Sequence, residues 1–355
     1  MFNILDRYIA KQVISASLLI LFLLIMLRAI FSMLEESNAI GTGNYEMADA
    51  FLFVALMLPQ KILELFPMGV LIGSLFGLGM LAANNELTVM RSAGMTTWQI
   101  AGATLKASLI LMIGVLVLSE IVAPVASKYA QQLRTAALSD GKISRSTTGL
   151  WAKRDNQIIH IASIHKNGEM RHISLFELDK EYQVKKLTEA KSAKVIDQKW
   201  FLFDVIETRF YPEQIDKKSL EKMTWKNPID EDNIDTLTLK PETLNIKGLV
   251  KYQQYLTNNS LDASEVELVI WEKILLPVSI AIMMVLAASF VFGPMRNVSM
   301  GARILTGVML GFGFHLAKQS FGPISLIYGM SPFVGALIPL VAFSGLAFWL
   351  MHKSG

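Results

Sequence analysis

"MADAFLFVALMLPQKILELFPMGVLIGSLFGLGML", residues 47–81, decides the fold. One membrane crossing here gives six spans and both termini on one side. Two crossings give seven spans and opposite termini. The run is broken by Pro59, Lys61, Glu64 and Pro67, and a helix needs about 20 apolar residues to cross the hydrocarbon core, so two crossings would both be short. We expect an interfacial or re-entrant segment, Met47–Leu58, followed by a single span, Leu65–Leu81.

The flanking runs complete the count. Val13–Leu34 carries one charge, Arg28. Ile100–Pro124 carries Lys106 near its start and Glu120 near its end. Ile274–Phe292, Ile304–Phe321 and Pro332–Met351 follow late in the chain. With six spans, Arg7, Lys11, Arg91, Arg296, Arg303, His352 and Lys353 fall on one side. Short loops rich in Lys and Arg stay cytoplasmic, so both termini are expected on the cytoplasmic side of the membrane. No cleavable signal peptide is expected, because the first apolar run is long and ends in charge.

Composition agrees with membrane insertion. Of 355 residues, 52% are hydrophobic and only 18% charged, with mean hydropathy +0.42; a soluble domain is nearer one quarter charged. A net charge of +3 with no basic, aromatic-interleaved stripe gives no reason to expect nucleic acid. The absence of cysteine excludes disulfides, thiolate metal sites and Cys nucleophiles.

Between the third and fourth spans the composition turns polar. "NQIIHIASI" (156–164), "RHISLFELD" (171–179), "KWFLFDVIETRFY" (199–211) and "DTLTLK" (235–240) are short, β-branched or aromatic, and bounded by turn residues. Phe201, Phe203 and Val205 alternate only loosely. The spacing predicts an antiparallel sandwich or jelly roll, and "IKGLVKYQQYLTNNSLDASEVELVIWEK" (246–273) reads as helix leading into the fourth span. The expected fold is a membrane α-helical protein with an inserted β-jelly-roll-like domain outside the cytoplasm. Spans one to three occupy 1–126, the β domain 127–265, and spans four to six 266–355.

Enzymatic motifs are missing. "DGKIS" lacks the glycine and Ser/Thr needed to cradle phosphate, and no H-E-x-x-H or G-x-S-x-G occurs. The chain is therefore expected to hydrolyse no ATP itself and to carry no cofactor. Of the histidines, His160, His165 and His172 read as strand residues, and no metal site is expected from their spacing with His315 and His352.

One polar stretch stands out, "NNELTVMRSAG" (84–94). It is expected to form a short cytoplasmic helix fitting a groove on a separate ATPase. Leu87, Val89 and Met90 supply apolar area, while Glu86 and Arg91 supply orienting charge. Gly94 permits a left-handed C-cap, and Thr96 or Thr97 can cap the next helix. Candidate lipid contacts are the charges within spans, Arg28, Lys61 and Lys318, since such charges normally face a cavity or a partner. Small-xxx-small faces at Gly69/Gly73/Gly77 and Gly307/Gly311 read as helix-packing seams within the chain.

"LDRYIAKQ" (5–12), "FPMGVLIGSLFGLGMLAANNELTVMRSAGMT" (66–96), "GLWAK" (149–153), "FVFGPMRNVSMGARILTG" (290–307) and "FGPISLIYGMSP" (321–332), in this layout, resemble the lipopolysaccharide-export permeases of Gram-negative bacteria, closest to the G-type subunit. The resemblance implies an F-type sister permease and a dimer of cytoplasmic ATPases that bind the ATP. It also implies a single-span bitopic partner with a periplasmic domain, and periplasmic jelly rolls that receive lipopolysaccharide. It places Glu86 at the ATPase contact and suggests the first and fifth spans at the lateral gate. Relatives often carry lysines after the first span, where this chain has the acidic "FSMLEESNAIGTG" (31–43); Arg28, Lys61 and Lys318 are the candidates to replace them. Two other classes remain, a secondary transporter and a membrane-anchored structural β module. Neither needs a capped cytoplasmic helix bearing Glu86.

Overall fold

The computed structural model describes residues 4–138, 150–154, 156–164, 169–179, 183–196, 199–211, 214–225, 240–293 and 298–354. The expected strand at 235–239, His165 and Arg296 lie outside these residues. Six helices are long and apolar enough to cross a membrane. The chain separates into two compact units, one of Met1–Glu35, Val54–Ser127 and Ser264–Gly355, the other of Glu36–Phe53 and Lys128–Ala263.

In the helical unit, α1 (Ile4–Ser37) is followed by α2 (Met47–Ala83). Residues 47–81 are therefore neither an interfacial segment plus a span nor two spans. They form one unbroken helix with Pro59 and Pro67 inside it. Neighbouring helices in a bundle re-satisfy the backbone groups that proline frees, and at about 1.5 Å per residue the helix outruns the ~30 Å hydrocarbon core. Lys61 and Glu64 pair one turn apart at 2.8 Å, so the two charges in mid-helix carry their own counter-ions.

The short α3 (Glu86–Ser92) leads to α4 (Thr97–Val117), a π-helical turn (Leu118–Val122) and α5 (Ala123–Leu138). After the sheet come α6 (Ile246–Asn258), α7 (Ser264–Phe292), α8 (Met300–Ile327) and α9 (Pro332–Ser354). The helix expected over 246–273 is divided at Asn259–Ala263, where Ser260 takes φ 53°. Residues 322–327, expected as a connection, are the last turns of α8.

The centre of the unit is α2. Its apolar window is 72% buried, against 28% for α1 and 22% for α8. Both neighbours reach it through glycines. A Cβ on Gly69 would lie 2.9 Å from Leu21, and one on Gly77 3.1 Å from the Gln12 carbonyl. At Gly73 a Cβ would overlap the Ser17 backbone. On the α8 side, Gly307 packs on Leu75 and Ile72, and Gly311 on Met68. Gly73→Ala should therefore push α1 off α2, since overpacking costs about 1–3 kcal/mol or more. Thermal unfolding in detergent is the check: Gly73→Ala lowers Tm, whereas Gly102→Ala, whose Cβ meets open space, does not.

In the other unit, β1 (Leu150–Arg154), β2 (Gln157–Ile164), β3 (Met170–Leu178), β4 (Val184–Ile196), β5 (Lys199–Phe210) and β6 (Ile215–Trp225) form one antiparallel sheet with neighbours in chain order. The inserted β domain is present. Among the described residues it is a meander, and a jelly roll's second sheet is not among them. Ile159, Ile161, Ile173, Leu175, Leu202 and Val205 form its core, closed by an edge-to-face contact of Trp200 and Trp225 at 6.0 Å.

The loose alternation in β5 has a cause. His172 (φ 49°) and Asp204 (φ 51°) are left-handed, and the ladder skips both, pairing Ile173 with Ala190 and Val205 with Ala190 and Leu220. The register is the same on both sides of each gap, with Lys191 and Glu221 skipped opposite, so no residue is inserted. The left-handed residue itself turns the strand over, and buried positions fall three apart across it, Met170 and Ile173, Leu202 and Val205. Trp200 and Leu202 before it, and Val205 after it, therefore share the buried face. Phe201 and Phe203 lie on the opposite face, under the Lys222 ammonium at 3.9 and 5.7 Å. On β5 the Glu207 carboxylate is held by Arg209 at 2.7 Å and Lys186 at 3.3 Å. Burial pushes its pKa up, but the bonds from Arg209 and Lys186 outweigh burial and hold it below the usual carboxylate value.

Candidate functional site

The stretch 84–94 folds into a helix with both ends defined. At its start Asn85 takes φ 60°, a conformation asparagine tolerates, and turns the chain sharply out of α2. Glu86 then stands in the first turn and Arg91 in the last, each the sign the helix dipole favours. At the end, Gly94 N–H donates to the Arg91 carbonyl at 3.0 Å and Met95 N–H to the Met90 carbonyl at 3.1 Å. With Gly94 at φ 94°, this is a Schellman motif. Thr96 starts α4: its hydroxyl accepts from Gln99 N–H at 3.2 Å, and the Gln99 side chain accepts from Thr96 N–H at 2.8 Å, a full capping box.

Burial divides the expected contact residues. Leu87 (4% exposed) and Met90 (8%) point into the chain's own core. They anchor α3, which corrects their placement at a partner surface. The outward face holds Thr88, Val89, Arg91 and Ser92, with Val89 65% exposed as its apolar member. Thr88 and Ser92 were not singled out from the sequence, although they follow from the i, i+3 spacing of Leu87 and Met90 once that pair is assigned to the core. Glu86 is half-buried at the helix start. Tyr8 of α1 faces its carboxylate and interacts with it, and Asn84 Nδ2 lies 3.5 Å from Oε1.

The charges within the spans are paired. Arg28 grips Glu35 with two bonds, 2.9 and 3.3 Å, the fork geometry guanidinium favours. Lys61 acts electrostatically on the same Glu35 besides pairing with Glu64, so Arg28, Glu35, Lys61 and Glu64 form one charge cluster on α1 and α2. Lys318 of α8 pairs with Glu272 of α7 at 3.2 Å. The three candidate lipid cations are thus brought to two places, and each already holds a carboxylate.

The acidic last turn of α1 is neutralised as well. In the sheet-bearing unit, Glu36 accepts from Arg134 Nε at 2.9 Å and from the Tyr45 hydroxyl at 3.1 Å. Burial and the Glu36 charge push the Tyr45 phenol up to about 12, which keeps it a donor. Asp6 of α1 pairs with Lys106 of α4 at 2.6 Å. Among the described residues no group of three His, Cys, Asp or Glu is placed to hold a metal ion.

Residues 7–353 match the family model described as lipopolysaccharide export system permease LptF/LptG. The chain belongs to that family. It is 35% identical over 355 residues to the lipopolysaccharide export system permease protein LptG of Escherichia coli (strain K12), covering 99% of both chains. It is 34% identical, again over 99% of both, to the protein of the same name from Haemophilus influenzae. Family membership and six spans make this a multi-pass inner-membrane protein.

Proposed function

We propose that this chain is the G-type permease subunit of a lipopolysaccharide exporter. It pairs with an F-type sister permease, and a separate cytoplasmic ATPase dimer that binds the ATP drives it through α3. A bitopic, single-span partner with a periplasmic domain completes the assembly. The observation that carries this reading is the likeness to LptG proteins over 99% of both chains. The capped α3, attached directly to the most buried span, supports it.

Orientation follows from charge. Arg7, Lys11, Arg91, Arg303, His352 and Lys353 lie at the helix ends that an even number of spans puts on one side, which the positive-inside rule assigns to the cytoplasm. The sheet is then periplasmic. On α3, Glu86 and Arg91 orient the ATPase while Val89 supplies apolar contact. Arg28, Lys61 and Lys318 meet lipid phosphate while still paired with their carboxylates, each cation being shared between the two anions.

The test is reconstitution of this chain with an F-type permease and the ATPase in liposomes containing lipopolysaccharide. ATP-dependent extraction that vanishes when this chain is omitted is the expected result. Extraction driven by an ion gradient without the ATPase would instead make it a secondary transporter.

A further inference from the structure

Arg303 sits in the first turn of α8 and is only 4% exposed. Two features make this placement costly. A buried charge loses its hydration, and a cation at a helix N-terminus opposes the dipole. What it touches offsets both. Its Nη1 donates to the backbone carbonyl of Gly79 on α2 at 2.7 Å. Gly79 lies about one turn before the end of α2, next to the last four carbonyls, which together give the helix end the equivalent of roughly half a negative charge. The last turn of α2 contains no basic residue, so Arg303 supplies from α8 the cation that this helix end lacks.

Glycine lets the side chain come close. A Cβ on Gly79 would lie 3.2 Å from both Cδ and Nη1 of Arg303 and 3.3 Å from Met300 Sδ. The contact is the inner end of the seam on which Gly307 and Gly311 pack. Beyond that seam α8 is largely exposed, whereas α2 is the buried centre. The end of α2 held by Arg303 is also the end that carries α3.

We propose that Arg303 is a positioning residue for transport. It locks the start of α8 to the end of α2, so that displacement of α3 moves α8 with α2 rather than past it. This rests on the ATPase-driven reading above. Lysine reproduces the charge but only as a point donor on a flexible stem, which makes Arg303→Lys a partial substitute.

The experiment uses the full complex with sister permease and ATPase, and reads lipopolysaccharide extracted per ATP hydrolysed. Arg303→Met should keep ATP hydrolysis while the ratio falls roughly tenfold or more. Gly79→Ala should shift the ratio in the same direction, and the double variant should be no worse than Arg303→Met alone, as expected of one shared contact. Arg303→Lys should recover part of the ratio. Spin labels at Ala93, at the end of α3 and outside the ATPase-contact residues, and at Met309, both exposed, should move together on ATP addition in the native complex; in the variant only the α3 label should move. If Arg303→Met fails to assemble, Gly79→Ala and Arg303→Lys decide the matter by the same ratio. An unchanged ratio in the assembled variants, or labels that still move together, overturns the proposal. A native complex that shows no ATP-dependent extraction overturns the functional reading instead.

Discussion

Glu86→Lys is expected to abolish lipopolysaccharide export while the chain still inserts and folds. Removing one partner of a hydrogen-bonded charge pair at an interface costs about 2–5 kcal/mol, and reversal adds repulsion. At about 1.4 kcal/mol per tenfold, docking of the ATPase weakens by roughly 30-fold or more. Within the chain the change removes the Tyr8 interaction and a long Asn84 contact of 3.5 Å, but Glu86 is only half-buried at the start of α3, so the fold loses less than the docking does. Leu87 and Met90 hold the helix in place, and they are untouched. Changes at those two positions act on the fold instead. Co-purification with the ATPase and export from proteoliposomes measure the effect together. Undiminished complex with undiminished export would sink the assignment.

The spans were legible because the physics is local: an apolar run of about 20 residues is enough to mark a crossing. Residues 47–58 were misjudged for a related reason. Pro59 and Pro67 break helices in water, and only the packing around α2 shows why they do not break this one. In the sheet, β4 and β6 carried no clear strand signal. "VKKLTEAKSAKVI" and "IDKKSLEKMTW" are rich in lysine and owe their state to ladder bonds with their neighbours. The parity shift at Asp204 is likewise invisible until the backbone shows a left-handed residue in mid-strand.

The site was half legible. Glu86, Arg91 and Gly94 occupy the positions their chemistry favours, and Thr96 caps as expected. Spacing put Leu87 and Met90 on one face, but it could not say that this face turns inward. The seven-residue spacing of Arg28 and Glu35 is two helical turns, so their pairing was open to deduction. Arg303 and Gly79 are 224 positions apart, and no local pattern joins them.

The π-turn in the third span is the other feature read incompletely, since Pro124 was taken as that span's end. The helix instead continues past it. Ala123 N–H donates to the Leu118 carbonyl, one residue farther back than in an α-helix. In that register the Ser119 carbonyl faces Pro124, which has no N–H to give. Lys273 of α7 supplies the missing donor, its Nζ 3.3 Å from the Ser119 carbonyl and 3.6 Å from the Glu120 carboxylate. Lys273→Met therefore takes the ammonium from Glu120 and the donor from Ser119 at once, within two membrane spans. Lys273 is 10% exposed but Glu120 31%, so the loss falls short of the ~3–5 kcal/mol of a fully buried pair and is nearer the ~1–3 kcal/mol of an unsatisfied buried group, still a sizeable share of the roughly 5–15 kcal/mol that holds a typical domain folded. The expected result is a sharp fall in folded yield and Tm in detergent. Lys273→Arg should keep most of the stability. Lys273→Met with Glu120→Gln should recover part of the loss, because no carboxylate is then left beside an apolar side chain, while the Ser119 carbonyl still lacks its donor. A double variant as unstable as Lys273→Met alone would show that the ammonium serves the Ser119 carbonyl and not Glu120.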